Sequence, residues 1–337
     1  MSTSPNVKPF LKWVGGKGAL LPRLAPLLPR PEGLAGYREP FLGGGAVFFA
    51  LYSAVRPAHL SDANPDLIAA YVAVRDHLDE LAERLGAEQQ HADLEVRFHA
   101  HRNRLNAHRS GAAPLSVVER AVSVFVLNRW GFNGLWRERA DGQITTPFGH
   151  PAEGRALFDD ERLRACSAAL HGVHLAVADF ADAVRDAGPG ELVYLDPPYA
   201  PAAGAAGDSY TGYTGGGFSY RPRQLPLLPD AVARTDQDRL ESTLEQLDAA
   251  GVLWVLSNQP SLALGDLRRR WVSRELSARR SVSADPATRG EAAELLLSNW
   301  PGIAAVVPGG GTTAKGRKLR TGARGPYRAP VADGEQP

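Results

Sequence analysis

The chain has very little cysteine and no long apolar run. Cys166 is the one cysteine among 337 residues, which excludes an internal disulfide framework and any CxxC metal or redox motif. We therefore expect a buried, inert thiol and a reducing compartment, the cytoplasm. No run of about 18 apolar residues is present, so no membrane-spanning helix is expected. Residues 1–8 lack the apolar segment of a signal peptide, so no such peptide is expected either.

The chain also has almost no net charge. It contains 38 Lys and Arg against 37 Asp and Glu, a formal net charge of +1. Any attraction to nucleic acid must therefore come from local clusters of positive side chains. Hydrophobic residues make up 44%, which is enough for a packed core and excludes a wholly disordered chain. At roughly 150 residues per domain, the length favours two domains or one large domain with an insert.

The first part of the chain has the pattern that opens a doubly wound α/β sheet. A strand at residues 37–41 runs into three glycines, Gly43 to Gly45. A helix-compatible segment at residues 46–51 follows, and then a short strand at residues 58–61 that ends at Asp62. This order predicts a βαβ unit with parallel strands.

A different pattern follows before the sheet resumes. Helical segments extend to residue 127, and the dipeptide Asp141-Gly142 then separates two extended segments, 135–139 and 143–146. Such a dipeptide between extended segments predicts a β-hairpin. We therefore expect an insert of helices and one hairpin between two halves of the sheet. For the His- and Arg-rich residues 91–109 we expect a solvated helix face, with DNA backbone contact as the alternative.

The second half of the chain returns to strands. Further strands are predicted at residues 174–178, 191–195, 252–257 and 294–300. The segment 191–195 is apolar on both faces, as a central parallel strand should be. A helix over residues 235–251 is expected to be capped by Asp236. Residues 200–232 are expected to form a long loop, and residues 302–337 a disordered basic tail.

The glycine turn favours a ligand that contains adenosine. Three glycines between a strand and a helix let a ligand approach the backbone, and Asp62 follows at the spacing at which a carboxylate meets ribose hydroxyls. The strict GxGxxG pattern fails at Phe48, which argues against a nicotinamide dinucleotide. A P-loop around Lys17 is also disfavoured, because Leu11 and Gly18 stand where that motif requires Gly and Ser or Thr.

Asp196-Pro197-Pro198-Tyr199 is the strongest local signal. It follows a buried strand and therefore lies at the carboxyl edge of the predicted sheet, where such folds bind ligands. The two prolines remove backbone N–H donors, which leaves the Asp196 carboxylate and the Pro197 carbonyl as acceptors beside the ring of Tyr199. Acceptors next to an aromatic face suit an exocyclic amino group on a planar base.

Five segments in this order resemble a known enzyme family. They are residues 10–17, 39–49, 60–64, 127–137 and 196–199. Together they resemble the Dam-type DNA adenine N6-methyltransferases (D12 class, α group) over about residues 8–300. The resemblance implies transfer of a methyl group from S-adenosylmethionine to N6 of an adenine that is flipped out of duplex DNA. It also implies a doubly wound α/β methyltransferase sheet with an inserted helical and β-hairpin target-recognition domain.

The resemblance implies a division of the chain. Residues 1–66 and 176–300 would form the catalytic domain, residues 67–175 the target-recognition domain, and residues 301–337 the tail. The implied partners are double-stranded DNA and, for members of restriction–modification systems, a cognate endonuclease that acts on the same site. No metal and no membrane are expected.

Roles at individual positions also follow from the resemblance. The implied catalytic residues are Asp196, Pro197, Pro198 and Tyr199. The implied cofactor-binding residues are Trp13, Lys17, Phe41, Gly43, Gly45, Asp62, Asp179, Phe180 and Asp196. The implied DNA-binding residues are Arg129, Asn133, Arg137, Arg139, Thr145, Pro147 and His150. Well-known members carry Asn and Arg where this chain has Thr145 and His150, so a GATC target is not implied.

Three other functions remain open from the residues alone. A non-catalytic DNA-binding relative is disfavoured by the intact motif at residues 196–199. A nucleotide-cofactor oxidoreductase is disfavoured by Phe48. Methylation of another planar group, such as a protein amide or RNA, is disfavoured by Asp rather than Asn at position 196 and by the insert.

Overall fold

A seven-stranded sheet forms the centre of the computed structural model, which describes residues 7–13, 15–139, 141–152, 156–198, 235–260, 267–279 and 291–304. The strands are β1 (Gly36–Glu39), β2 (Ala58–Asp62), β3 (His174–Val177), β4 (Glu191–Leu195), β5 (Leu253–Asn258), β6 (Val272–Arg279) and β7 (Glu291–Ser298). Their order is β3-β2-β1-β4-β5-β7-β6. The first five are parallel, whereas β7 is antiparallel to both of its neighbours. The predicted doubly wound α/β sheet is confirmed.

The helices lie before, between and after these strands. They are α1 (Leu21–Leu24), α2 (Pro65–Asp76), α3 (Leu78–Gln89), α4 (Leu94–Arg109), α5 (Val117–Trp130), α6 (Asp160–Leu170), α7 (Phe180–Ala183), α8 (Asp236–Ala249) and α9 (Leu267–Arg270). Short 3₁₀ turns at Lys17–Ala19 and Pro301–Ala304 flank them, and Phe48–Tyr52 forms a π-helical turn. None of the helices in the described ranges has the length and apolarity of a membrane span.

Two hydrophobic clusters cover the two faces of the sheet. In β4, Leu192 and Tyr194 join one cluster, whereas Val193 and Leu195 join the other. This alternation confirms that the strand is buried on both sides, which is why its sequence is continuously apolar. The first cluster also contains side chains from the inserted helices α2 to α6. The insert and the sheet therefore share one core.

Some local expectations were wrong. Helix α8 is capped by Thr235, whose side chain accepts from the Asp238 amide, while Asp236 is buried and bonds to Arg239. The expected solvated face of α4 is partly buried: His101 is 1% exposed and its ring bonds to Ser123. A helix can bury polar side chains where the tertiary structure supplies partners, and local sequence does not reveal those partners.

Further expectations concern the last strands, the domain boundary, the 200–232 loop, the tail and Cys166. The last strand is β7, which begins at Glu291 and ends at Ser298, and β6 was not predicted. The predicted domain boundary at residues 66 and 67 falls within α2, and the division into domains stays a prediction. The 200–232 loop and most of the tail lie outside the described residues. Burial raises the pKa of the Cys166 thiol to about 12, in agreement with an inert thiol.

The predicted hairpin forms and is tied to helix α2. Arg139 and Gln143 share a backbone hydrogen bond across the Asp141-Gly142 turn, and Gly142 has a φ of 81°. Arg109, at the end of α4, donates to Gly142 O at 2.8 Å and to Glu138 Oε1 at 2.8 Å. The hairpin turn is therefore held by a side chain from the helical insert.

A fully buried carboxylate anchors this arginine. Asp66, in the first turn of α2, accepts from Arg109 Nε at 2.7 Å and, on its other oxygen, from Arg120 at 2.7 and 2.9 Å. A planar guanidinium can hold three acceptors in fixed directions, which an ammonium cannot. Arg109 therefore joins α2 to the hairpin. Arg120 donates to the same carboxylate, and its described hydrogen bonds do not extend to the hairpin.

We expect Arg109→Lys to loosen the hairpin. Hydrogen exchange at the amides of Arg139, Gly142 and Thr145 should accelerate by about tenfold, because a lysine cannot keep all three contacts. The matched control is Arg120→Lys, which should leave these amides protected. Equal acceleration in both variants would mean that Arg109 acts only through Asp66.

Candidate active site

The polar residues singled out from the sequence meet where the parallel strands end. Glu39 ends β1, Asp62 ends β2, and Asp196 follows the last residue of β4. The carboxyl ends of parallel strands share one edge of the sheet. The strand order reverses between β1 and β4, and open α/β sheets bind ligands at such a point. The candidate site therefore has the position that the fold favours.

A buried lysine lies between two carboxylates at this edge. Lys17 Nζ is 2.6 Å from Asp196 Oδ1 and 3.3 Å from Glu294 Oε1. Lys17 is 5% exposed and also donates to Gly15 O at 3.4 Å. A buried ammonium requires such partners, because burial without them costs several kcal/mol. The N-terminal segment is thereby bound to the end of β4 and to Asp196.

Glu294 is a site residue that sequence reasoning missed. The sequence pattern indicates only that Glu294 begins the predicted strand at residues 294–300. Because β7 runs antiparallel to β5 and pairs Leu295 with Asn258, its first half lies at the carboxyl end of β5. Ser257 Oγ donates to Glu294 Oε1. One sequence signal could have identified Glu294: it is an acidic residue within an apolar strand. Because acids are almost never buried without a partner, this position indicates a partner for its carboxylate.

Asp62 holds the glycine turn as well as ending its strand. Its carboxylate accepts from the Gly43 amide at 3.0 Å and from the Asn64 amide at 2.9 Å. Gly43 and Gly45 have φ values of 49° and 66°, which favour glycine. A Cβ on Gly45 would be 2.8 Å from the hydroxyl of Tyr71. The turn therefore requires glycine for its conformation and for space.

Aromatic side chains line the same edge. A Cβ on Gly43 would lie 3.1 Å from Trp13 Cδ1, and the Trp13 ring lies 5.7 Å from that of Trp136. The rings of Phe41 and Phe180 stack at 5.3 Å. The structure thus brings four sequence-predicted residues, Trp13, Phe41, Gly43 and Phe180, to one edge.

Asp179 is engaged in local contacts. Its carboxylate caps α7 by accepting from the Ala181 amide and also bonds to Arg239, which lies 4.9 Å from the ring centroid of Phe180. Asp179 therefore fixes the position of the Phe180 ring. A direct contact between Asp179 and a cofactor stays a prediction.

Burial changes the ionisation of three carboxyl groups at this edge. It raises the pKa of Glu39 to about 8, and the neighbouring Asp196 and Asp62 raise it further against the lowering effect of the Tyr37 hydroxyl. Burial also raises the pKa of Asp62 to about 6, against backbone N–H groups that lower it. The pKa of Asp196 is likewise raised to about 6 by burial and by Glu294, while Lys17 lowers it. A cation that enters this site would favour the ionised forms.

Comparison with known proteins identifies the family. The sequence pattern of the D12 class N6 adenine-specific DNA methyltransferases matches residues 13–244. The chain is 33% identical over 298 residues to the Type II methyltransferase M1.LlaDCHI of Lactococcus lactis subsp. cremoris, covering 88% of this chain and 96% of that protein. The chain belongs to the D12 class of N6 adenine-specific DNA methyltransferases. The resemblance inferred from the five segments is thereby confirmed.

Two other relatives have names that fit the same family. The Type II methyltransferase M.MjaIII of Methanocaldococcus jannaschii is 30% identical over 308 residues, which are 88% of this chain and all of that protein. The DNA adenine methylase of Salmonella typhi is 30% identical over 307 residues, covering 88% and 96% of the two chains. DNA adenine N6-methylation is therefore the reaction of this D12 methyltransferase, and its family implies S-adenosylmethionine as the methyl donor.

The residues expected to contact DNA lie in the last turn of α5, on the loop that follows α5, on the hairpin and just after the hairpin. Arg137, Arg139, Thr145 and His150 are exposed, whereas Arg129, Asn133 and Pro147 are half-buried. The loop and the chain after the hairpin are joined, because the Phe132 amide donates to Pro147 O at 3.0 Å and the Gly149 amide donates to Trp130 O at 2.8 Å. Arg129 donates to Ala156 O at 3.1 and 3.3 Å. Direct readout by these residues stays a prediction.

We expect Glu39→Gln to make the folded D12 methyltransferase more stable at high pH. Between pH values of about 4.5 and 8, folded Glu39 keeps its proton while the unfolded chain loses it. The folded state then binds more protons, so this residue lowers stability as the pH rises. The glutamine variant lacks this loss. Its advantage over the wild type should grow by on the order of 1 kcal/mol per pH unit in urea unfolding.

The control for this measurement is Glu32→Gln, which changes an exposed glutamate. Its stability should follow that of the wild type at every pH. A Glu39→Gln variant whose stability changes with pH in parallel with the wild type would show that Glu39 is ionised in the folded protein.

Proposed function

We propose that Asp196 and the Pro197 carbonyl hold the N6 amino group of an adenine that has left the DNA helix. The observation that carries this proposal is the position of Asp196, about one-fifth exposed, at the end of β4 beside Lys17. Its carboxylate can accept from an amino group, and acceptors on both N–H groups would favour a tetrahedral nitrogen with a localised lone pair. Pro198 follows Pro197 and has no backbone N–H that could compete with these acceptors. Tyr199 lies outside the described residues, and its stacking role rests on the family motif.

S-adenosylmethionine binds at the glycine turn and Asp62 in this proposal. The absence of a Cβ at Gly43 and Gly45 lets Trp13 and Tyr71 approach the backbone of the turn. The Asp62 carboxylate, which accepts from the Gly43 and Asn64 amides, has further acceptor capacity. We propose that Asp62 accepts from the ribose hydroxyls, while Trp13, Phe41 and Phe180 line the adenosine pocket. When bound, this cofactor supplies a methyl group that is activated on a sulfonium.

Positioning supplies much of the rate in this proposal. In the free protein Asp196 is held by Lys17, and the adenine must leave the base stack to reach it, which costs a few kcal/mol. Holding the amino group in line with the methyl donor converts an encounter into an intramolecular step. The proton released from N6 passes to Asp196 or to water.

DNA is read by the hairpin and the adjacent loop in this proposal. Exposed Arg137 and Arg139 can bind guanine or phosphate in two-point contacts, and Thr145 and His150 lie on the same elements. Asn133, with a φ of 55°, shapes the loop. Arg129 and Pro147 support it. Because these elements are connected by backbone hydrogen bonds, they should meet DNA as one surface.

A cognate restriction endonuclease is proposed as a second partner acting on the same DNA sequence. The Type II names of two relatives support it. We further propose that the protein acts on the chromosome in the cytoplasm. Cleavage of unmethylated but not methylated DNA by an extract of the source cells would test the endonuclease.

The proposed function is tested by expression in a host without adenine methylation. Single-molecule sequencing of its DNA should show N6-methyladenine in one sequence context. Unmodified adenine throughout, with the protein folded and cofactor bound, would contradict the proposal.

We expect Asp196→Ala to reduce methyl transfer by at least about a hundredfold, because the amino group loses its charged acceptor. Binding of S-adenosylmethionine, measured by calorimetry, should be largely retained. Tritium transfer from labelled cofactor to the identified DNA site measures the loss. Asp186→Ala is the control, since Asp186 pairs with Arg38 near the opposite edge of the sheet. Undiminished transfer in Asp196→Ala would remove this residue from the reaction.

A further inference from the structure

One ammonium serves two carboxylates beside the reacting group. Lys17 Nζ lies 2.6 Å from Asp196 and 3.3 Å from Glu294, and the side chains of Lys17 and Glu294 are only 5% and 7% exposed. The two acids come from strands that are separated in the sheet by β5. The arrangement therefore exists only in the folded chain, and no local motif contains it.

This arrangement bears on how Asp196 can receive a substrate. The Asp196 oxygen that bonds to Lys17 is already engaged at 2.6 Å. An amino group that donates to this same oxygen, Oδ1, competes with the ammonium for it. Lys17 can yield only if another acceptor is in reach, because an unpaired buried charge is strongly destabilising.

Glu294 has the properties of that second acceptor. Ser257 Oγ donates to Glu294 Oε1, and the antiparallel pairing of β5 and β7 fixes the strand that carries it. The same oxygen, Oε1, lies 3.3 Å from Lys17 Nζ, so Ser257 holds the carboxylate oxygen that the lysine would take. A small displacement of the flexible lysine would shift its shorter contact from Asp196 to Glu294.

We propose that Glu294 is a positioning residue for methyl transfer, which takes the Lys17 ammonium when Asp196 accepts the adenine amino group. Glu294 touches neither DNA nor the methyl donor in this proposal and acts through Lys17. The inference rests on the proposed function of Asp196.

The proposal has a consequence for the pH dependence of the rate. Among the residues that the structure describes, the charged and titratable groups that face Asp196 are Lys17, Glu294, Glu39 and Tyr194. The negative charge of Glu294 raises the pKa of Asp196, whereas Lys17 lowers it. Since ionised Asp196 is the acceptor, the rate falls as the pH drops through its pKa. Removing the charge of Glu294 should therefore move this acid limb to lower pH.

The decisive experiment is a pH profile of single-turnover methyl transfer with Glu294→Gln, on the DNA site found by sequencing. Two changes are expected together. The plateau rate falls by about tenfold, because Lys17 stays on Asp196. The acid limb moves down by about one pH unit. The affinities for S-adenosylmethionine and DNA should change by less than about threefold.

Glu191→Gln is the matched control. Glu191 is also a largely buried glutamate in an ion pair on a sheet strand, with Arg38 at 2.6 Å, but it lies at the opposite end of β4 from Asp196. Its variant should keep both the plateau and the acid limb of the wild type. A shift in both variants would show that a general loss of buried charge is the cause.

Glu294→Asp provides a second test that does not depend on the folding of the glutamine variant. It keeps the charge but withdraws it by one methylene, so its plateau and acid limb should lie between those of the wild type and Glu294→Gln. If folding permits only this variant, a wild-type profile would overturn the proposal. A Glu294→Gln profile with the wild-type limb would also overturn it. Failure of the proposed function is distinguishable, because the wild type itself would then not methylate the DNA.

Discussion

The ion pair between Lys17 and Asp196 connects residues that are 179 positions apart. It fixes the N-terminal segment against the end of β4, at the point where the strand order of the sheet reverses. Trp13 precedes this lysine by four positions and packs against the glycine turn. The positions of Trp13 and of Asp196 therefore depend on the same contact. Because the pair is buried, its loss would leave charges without partners and would cost far more than the loss of a surface ion pair.

The helical insert is built as part of the methyltransferase fold. Its helices share a hydrophobic cluster with one face of the sheet, and Asp66 joins two of them through Arg109 and Arg120. The hairpin that carries the proposed DNA contacts is attached to this framework at Gly142 and Glu138. This construction connects the surface proposed to read DNA to the core of the sheet that carries the carboxylates. Attachment of the hairpin to a packed core suits an enzyme that must align a base with a methyl donor.

The electrostatic character of the site arises from burial. Glu39, Asp62 and Asp196 all have raised pKa values because the sheet edge is covered by aromatic and aliphatic side chains. The ionised forms of these acids are stabilised when a positive ligand arrives, so cofactor binding and carboxylate ionisation favour each other. Asp196 and Glu294 would repel each other without a cation, and Lys17 supplies that cation in the free protein.

The sequence by itself determined the class of fold, the family and the local elements. The glycine turn, Asp62, the buried strand before Asp196 and the Asp141-Gly142 hairpin are short-range patterns, and short-range patterns are set by backbone sterics and hydrophobic periodicity. Only the tertiary structure decided which distant charges meet. Glu294 gained its place from an antiparallel strand that no local pattern paired with β5. Arg109 was expected on a solvated helix face, but its guanidinium binds the buried Asp66 carboxylate. Buried ion pairs depend on which elements pack together, and a linear sequence does not record that packing.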